Sequence, residues 1–264
     1  MAGMGSRFKA QVELNPEYKK PKPLILVKGE PMIMWALKSL PFINLPNRPA
    51  KTEFKVEPKD LIFIILKEQE DAYGIEALLR EAISDDINVI VIPALTRGAL
   101  ESAMAAKDHI KDYYDSVIVS DSDHYFDGEE LYKAILNKDE DVKGLIPVFK
   151  PRDTNPKWSY TLIDENNIAQ KVGEKDAALA AQGAPANIGA YYFASGKLFA
   201  EAAQQMIDEG DMFGAEGKKE FYVAPLYDRM IRNGYKVKGV LSPQVWGLGT
   251  PEDHIFFEIN FQLK

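Results

Sequence analysis

An α/β fold, with a mixed sheet flanked by helices, is what the sequence predicts, and three observations predict it. Short apolar runs rich in Ile and Val alternate with stretches of helical periodicity, the signature of a layered sheet with helices on its faces. The runs 61–66, 88–92, 116–120 and 145–149 are continuous rather than alternating, the pattern of strands covered on both faces. The third is bulk: 264 residues, 46% hydrophobic and 27% charged, suit one domain with a sizeable core and not a disordered chain.

The elements follow in order. Residues 35–40 read as a helix, 72–84 carry Ile75, Leu78, Leu79 and Ile83 at helical spacing, and 97–113 carry Leu100, Ala103 and Met104 likewise. Beyond residue 149 the pattern changes. Residues 160–163 and 168–172 flank the polar Asp164-Glu165-Asn166-Asn167, which predicts a strand, a turn and a strand. A further strand over 188–193 leads to a helix over 196–207, and 222–232 is another helix. Thr250-Pro251-Glu252-Asp253 has the form of a helix start, with Thr at the cap and Pro in the first turn. The 16 Pro and 18 Gly are dispersed, with no repeat or linker, so a single domain over 1–264 is expected.

Composition removes several function classes. With 40 Asp plus Glu against 32 Lys plus Arg, the net charge of -8 argues against non-specific nucleic-acid and anionic-membrane binding. Zero Cys excludes disulfides, iron–sulfur clusters, thiolate zinc sites and a Cys nucleophile. The start lacks the apolar core of a secretory signal, and the longest apolar run, 61–66, falls far below the roughly 20 residues of a membrane span. A soluble, cytoplasmic protein is expected. His109, His124 and His254 are scattered without metal-binding spacing, and of the three His124 is the candidate site neighbour because it adjoins Asp123.

Gly3-Met4-Gly5-Ser6-Arg7 is a GxGxR loop, whose glycines let backbone N–H groups approach phosphate oxygens and whose Arg7 offers a bidentate cation. Alone, such a start equally fits a flexible terminus. It is followed by Lys20-Pro21-Lys22-Pro23-Leu24-Ile25 and Val27-Lys28-Gly29-Glu30-Pro31-Met32-Ile33. In this order the motifs resemble the sugar nucleotidyltransferases, the nucleoside-diphosphate-sugar pyrophosphorylase superfamily, in its short form without a C-terminal β-helix domain. Those chains open AGxGSR or AGxGTR, then carry PKPL, then a glycine and PM before a helix. Thr96-Arg97-Gly98-Ala99, Asp121-Ser122-Asp123, Gly173-Glu174-Lys175, Asn187-Ile188-Gly189-Ala190-Tyr191, Glu220-Phe221-Tyr222 and Trp246-Gly247-Leu248-Gly249-Thr250-Pro251-Glu252-Asp253 extend the resemblance over nearly the whole chain.

The resemblance implies a Rossmann-like, GT-A-like nucleotidyltransferase fold, with about 1–145 binding nucleotide and about 146–264 binding acceptor. It implies Mg²⁺-dependent transfer of a nucleotidyl group from a nucleoside triphosphate to a sugar 1-phosphate or related small phosphate ester, with release of pyrophosphate. Nucleotide-sugar synthesis for capsule or cell-surface polysaccharide is the implied setting, and self-association is left open. Gly3, Gly5, Ser6 and Arg7 would cradle the triphosphate, Lys22 would face the α-phosphate, and the backbone at Gly98 would lie against the base. Asp123 is aligned with the metal-binding Asp, with Asp121 as the second possibility and a turn or cap role open for both. Glu174, Lys175, Gly189, Tyr191 and Glu220 match acceptor positions, with Lys175 toward the phosphate and Glu174 toward hydroxyls.

Two departures stand out. Gly247 occupies a position where the family often has a second metal Asp, which leaves Asp253 as either a ligand or a helix-start residue. The family also runs a strand into its glycine loop, whereas only Met1 and Ala2 precede Gly3 here. The expectation is that the natural protein starts earlier or that another segment fills the strand's slot. Asp121-Ser122-Asp123 also satisfies the DxD pattern of metal-dependent glycosyltransferases, and Gly247 keeps a non-catalytic nucleotide-binding regulator in view.

Overall fold

The computed structural model describes residues 1–110, 115–214 and 216–262. Contacts divide the chain into two units, each built from separated stretches: Met1–Leu95, Asp121–Glu129 and Gln244–Lys264 in the first, Thr96–Ser120 and Glu130–Pro243 in the second.

In the first unit the apolar run Ile62–Leu66 pairs in parallel with Asn88–Ile92, in register from Ile62 opposite Asn88 to Leu66 opposite Ile92. A parallel pair needs a crossover, and helical periodicity between the strands supplies it. The helix predicted over 72–84 is two helices, Lys67–Tyr73 and Ile75–Ala82. Gly74 between them takes φ 58°, a left-handed conformation that ends the first and starts the second. The helix predicted over 35–40 spans Met32–Lys38, directly after Pro31. Phe8, Tyr18, Ile25, Val27, Met32 and Trp35 form one buried cluster with Leu248, Phe257 and Phe261 from the far end of the chain. Trp35 meets Tyr125, Phe257 and Phe261 edge-on at 5.4, 5.0 and 5.2 Å, and its indole N–H donates to Val27 O at 2.8 Å. Each edge-on pair adds about 0.5–1.5 kcal/mol to the burial itself. His124–Phe126 pairs antiparallel with Val245–Gly247, and the final helix runs over Pro251–Asn260 as its Thr-Pro start predicts.

The second unit is a seven-stranded mixed sheet in the order Val117–Ser120, Ala190–Phe193, Val142–Phe149, Ala186–Asn187, Ser159–Ile163, Ala169–Glu174. Lys236–Leu241 runs parallel against Val142–Phe149, and the other pairings are antiparallel. The predicted strand 188–193 is two short strands. Gly189, at φ 97°, turns the chain so that Ala186–Asn187 pairs with Val148 and Phe149 while Ala190–Phe193 pairs with Val117–Ser120. Helices Gly196–Asp208 and Pro225–Arg232 bury Phe199, Ala203, Met206, Leu226, Tyr227 and Met230 in a core shared with Ile146, Val148, Phe193 and Val237. The second helix starts at Pro225 rather than at residue 222 because Pro is suited to the first helical turn. The stretch predicted as helical from 97 is a helix over Ala99–Met104 and a 3₁₀ turn over Lys107–His109; residues 111–113 of that prediction lie outside the described residues.

One expectation needs correction. Val142–Phe149 is covered on both faces, but Asn88–Ile92 and Val117–Ser120 are only partly buried along most of their length. The reason is position, since each has one partner strand among the described residues. Ile62–Leu66 likewise pairs on one side only, and no strand forms before the glycine loop among the described residues.

Tyr227 ties helix to sheet. Its ring is fully buried, its hydroxyl donates to Tyr192 O at 2.8 Å, and the packing is close enough that a Cβ on Gly144 would fall 2.5 Å from the ring. Tyr227→Phe is expected to lower unfolding free energy by about 1–2 kcal/mol through the lost hydrogen bond. Tyr227→Ala should cost about 3–5 kcal/mol through the cavity, both measured by urea denaturation.

Candidate functional site

In the first unit the glycine loop is held from beneath. Gly5 sits at φ 61°, a left-handed conformation natural to glycine, and its carbonyl accepts from Phe8 N at 3.0 Å and Lys9 N at 3.1 Å. Phe8 is buried in the aromatic cluster, and Gln69, only 5% exposed, donates from Nε2 to Gly3 O at 2.9 Å. The upper side is open: no atom lies within 4 Å of where a Gly3 Cβ would be, and Gly3, Ser6 and Arg7 are exposed. Among the described residues Arg7 makes no ion pair.

Lys22 begins a 3₁₀ turn between two prolines, and its Cβ lies 3.6 Å from the Cβ position of Gly5. Its ammonium meets Asp123 Oδ2 at 2.6 Å, with the two side chains 26% and 24% exposed. Asp123 is fixed through its backbone, since its carbonyl accepts from Leu248 N at 2.8 Å, and Gly249 leaves space beside it that a Cβ would fill at 2.9 Å from Oδ2. Burial by itself would raise the Asp123 pKa. The charge and hydrogen bond of Lys22 outweigh it and hold the carboxyl below the usual range. Burial drives the neighbouring His124 from the usual 6.5 down to about 4, so the ring is neutral at pH 7. Asp121 is exposed, in the turn between Val117–Ser120 and His124–Phe126.

Asp253 acts at the helix start: Thr250 Oγ1 accepts from Asp253 N at 3.1 Å and donates to Asp253 Oδ2 at 2.9 Å. His254 and Tyr18 form a buried pair, hydroxyl to Nδ1 at 2.9 Å, and His109 is exposed in its 3₁₀ turn.

The donor set decides which cation could be held. Among the described residues no group of three or more acidic or imidazole side chains is arranged to chelate a metal. Asp123 offers an ionised hard oxygen with room beside it, and its Oδ1 has no hydrogen-bond partner among the described residues. Such a site fits Mg²⁺, which takes one or two carboxylates and completes its shell with phosphate oxygens and water.

In the second unit two further groups form. Gly98, at φ 149°, packs so closely on Phe221 that a Cβ would lie 2.5 Å from the Phe221 backbone nitrogen. The contact is sealed by Phe221 N donating to Arg97 O at 2.9 Å and Leu100 N donating to Phe221 O at 3.0 Å. Arg97 lies over the Phe221 ring at 4.9 Å and pairs with Glu101 at 2.6 Å. Beyond Phe221, Tyr222 accepts a hydrogen bond from Lys175 Nζ at 2.7 Å, and the ammonium lies 4.6 Å from the centre of the same ring. Lys175 holds φ 51°, with its N–H donating to Trp158 O at 2.9 Å, and its ammonium is 3.6 Å from Glu174.

The Glu174 side chain is 8% exposed, and burial raises its pKa against the pull of Lys175 and Ser159. A buried polar chain stands behind it: Thr161 Oγ1 donates to Asn187 Oδ1 at 2.6 Å, and Asn187 Nδ2 donates to Ser159 Oγ at 3.1 Å. Glu220 is exposed, its backbone paired both ways with Phe213. Gly189 is buried at its strand break, and Tyr191 lies in the core with its ring 6.0 Å from Tyr227.

Lys22, Asp123 and the glycine loop are therefore brought together, as are Glu174, Lys175 and the segment around Phe221. The sequence reading did not single out Gln69 or Tyr222, nor the Thr161–Asn187–Ser159 chain. Tyr222 stands in a motif that was visible; Gln69 lies in the polar run Lys67-Glu68-Gln69-Glu70 and carries no signal of its own.

No protein-family model and no curated protein matches the chain. Solved structures do match over nearly its full length. A nucleoside-diphosphate-sugar pyrophosphorylase from Vibrio cholerae superposes with a TM-score of 0.70 at 21% identity, covering 98% of this chain and 97% of that one. An inositol-1-phosphate CTP transferase from T. maritima gives a TM-score of 0.65 at 15% identity over 96% and 88% of the two chains. A Bacillus anthracis chain assigned as a glucose-1-phosphate thymidylyltransferase gives 0.66 at 15% identity over 100% and 95%. At these identities the likeness is one of fold, and it places the chain in the mixed α/β architecture that its motifs imply.

Two outcomes follow from the geometry. Unfolded His124 would take up a proton near its usual 6.5, whereas the folded ring does so only near about 4. Unfolding therefore becomes easier as pH falls through that window, by about 2 kcal/mol between pH 6.5 and 5, and His124→Gln should flatten the slope in urea titrations at the two pH values. Gly98→Ala should destabilise the chain by about 1–3 kcal/mol through overpacking on Phe221, read as a drop in thermal midpoint.

Proposed function

We propose that the chain is a Mg²⁺-dependent nucleotidyltransferase that joins a nucleoside monophosphate to a sugar 1-phosphate or related small phosphate ester. The observation that carries this reading is the Lys22–Asp123 pair, 2.6 Å apart in the unit that also holds an open glycine loop with an exposed Arg7. A phosphate oxygen of the ester attacks the α-phosphorus, a P–O bond forms there, and the bond to the β-phosphate breaks with its electron pair leaving on pyrophosphate. No covalent chemistry is asked of the protein, only alignment and charge neutralisation.

In this reading the backbone N–H groups of Gly3, Gly5 and Ser6 take the triphosphate, and Arg7 neutralises the leaving phosphates. Lys22 exchanges Asp123 for the α-phosphate once nucleotide is present. Asp123, with Asp121 as the alternative, holds the cation, which when bound would offset charge on the triphosphate oxygens. Gly98 presents backbone to the base. Lys175 receives the acceptor phosphate, and Glu174 and Glu220 accept from the hydroxyls of its body. Gly189 and Tyr191 support the acceptor strand. In this reading the chain is a single nucleotidyltransferase domain in the cytoplasm, supplying nucleotide-activated precursors of capsule or cell-surface polymers.

The test is pyrophosphate release from each of the four nucleoside triphosphates paired with a panel of hexose 1-phosphates and other phosphate esters, with and without Mg²⁺. Asp123→Asn and Lys22→Met should each lower kcat by roughly 10²–10³ while the protein stays folded. Absence of pyrophosphate with every pair, together with Mg²⁺-dependent nucleotide-sugar cleavage, would replace this reading with a glycosyltransferase.

A further inference from the structure

We infer that Tyr222 is a second phosphate donor of the acceptor site, its hydroxyl binding the same phosphate monoester as the Lys175 ammonium. The inference rests on the nucleotidyltransferase reading and adds to it a residue that touches the acceptor.

Donor counting leads there. An ammonium has three hydrogens and no acceptor. At Lys175 one hydrogen is spent on the Tyr222 oxygen at 2.7 Å, Glu174 draws a second from 3.6 Å, and the side chain remains 44% exposed. Tyr222 oxygen, by accepting from Nζ, keeps its own hydrogen to donate, and among the described residues that hydrogen has no acceptor. Burial keeps the phenol protonated, since it raises the Tyr222 pKa against the pull of Lys175. Two donor atoms 2.7 Å apart suit two oxygens of one phosphate.

The backbone holds the pair in place from both sides. Lys175 takes a left-handed φ of 51°, uncommon for a residue with a side chain, and its N–H is anchored on Trp158. Tyr222 follows Phe221, which Gly98 admits to close contact. The neighbouring carboxylates narrow the ligand: a simple anion would face Glu174 and Glu220, whereas a phosphate ester with a hydroxyl-bearing body gives both carboxylates a donor to accept from.

Tyr222→Phe keeps the ring under the ammonium and removes only the hydroxyl, so it separates binding from packing. Titration with a hexose 1-phosphate, followed by ³¹P NMR line width, should show binding to the wild type that weakens about tenfold in Tyr222→Phe, the scale of one charge-assisted hydrogen bond, and further in Lys175→Met. With an active substrate pair, the acceptor KM should rise about tenfold while kcat and the triphosphate KM stay within twofold. Hexose 1-phosphate affinity equal in Tyr222→Phe and wild type overturns the inference. So does a parallel change of kcat and both KM values, which marks a structural role, and so does a wild type that binds no hexose 1-phosphate. Should Tyr222-dependent hexose 1-phosphate binding be found while no pair yields pyrophosphate, the anion site stands and the assigned reaction falls.

Discussion

A carboxylate taken three-quarters out of water must find a cation, and the ion pair of Asp123 with Lys22 is the constraint around which the first unit is arranged. Meeting it requires a lysine delivered at a fixed point, which the proline-flanked 3₁₀ turn provides, and a carboxylate carried on fixed backbone, which the hydrogen bond from Leu248 to the Asp123 carbonyl provides. Gly249 is needed because any side chain there would press on the carboxylate, and Gly5 is needed because the loop turns left-handed against Lys22. The pair also explains why the site holds an ionised oxygen at neutral pH despite burial, while His124 next to it is neutral.

The second unit solves a comparable problem by a different route. Its buried carboxylate, Glu174, has a cation 3.6 Å away instead of 2.6 Å, and Ser159, itself held by the Asn187 amide, supplies a hydroxyl to it. Its pKa accordingly moves up where that of Asp123 moves down. One carboxylate stays charged and suits a metal, and the other is readier to share a proton with hydroxyl groups. The difference lies in the closer cation at Asp123 and in the deeper burial of the Glu174 side chain, 8% exposed against 24%.

Much of this was legible in the sequence because apolar runs and glycine punctuation are local signals. The strands at 62–66 and 88–92, the 145–149 part of Val142–Phe149, and the Thr250-Pro251 helix start needed nothing beyond neighbouring residues. The break at Gly74 and the switch at Gly189 were missed because an isolated glycine in a periodic stretch reads as tolerated until φ is known. Partial exposure of Asn88–Ile92 depends on having one neighbour strand, a property of topology that no run of Val and Ile encodes. Lys22, Asp123, Glu174 and Lys175 came from motif order. Gln69 and the Asn187 chain came only from coordinates, because a polar side chain that supports a site looks in sequence like any other polar residue.

The make-up of the first unit has a consequence for synthesis. Its aromatic cluster needs Leu248, Phe257 and Phe261, and the Asp123 carbonyl needs the Leu248 N–H, so residues 1–129 cannot complete their core as they leave the ribosome. They must wait while Glu130–Pro243, the longer stretch of the second unit, is made ahead of their closing segment. Nascent chains in which Asp123 and Lys22 are already present thus lack the wall that fixes Asp123. The Lys22–Asp123 pair gains its full support only once translation has passed the final helix.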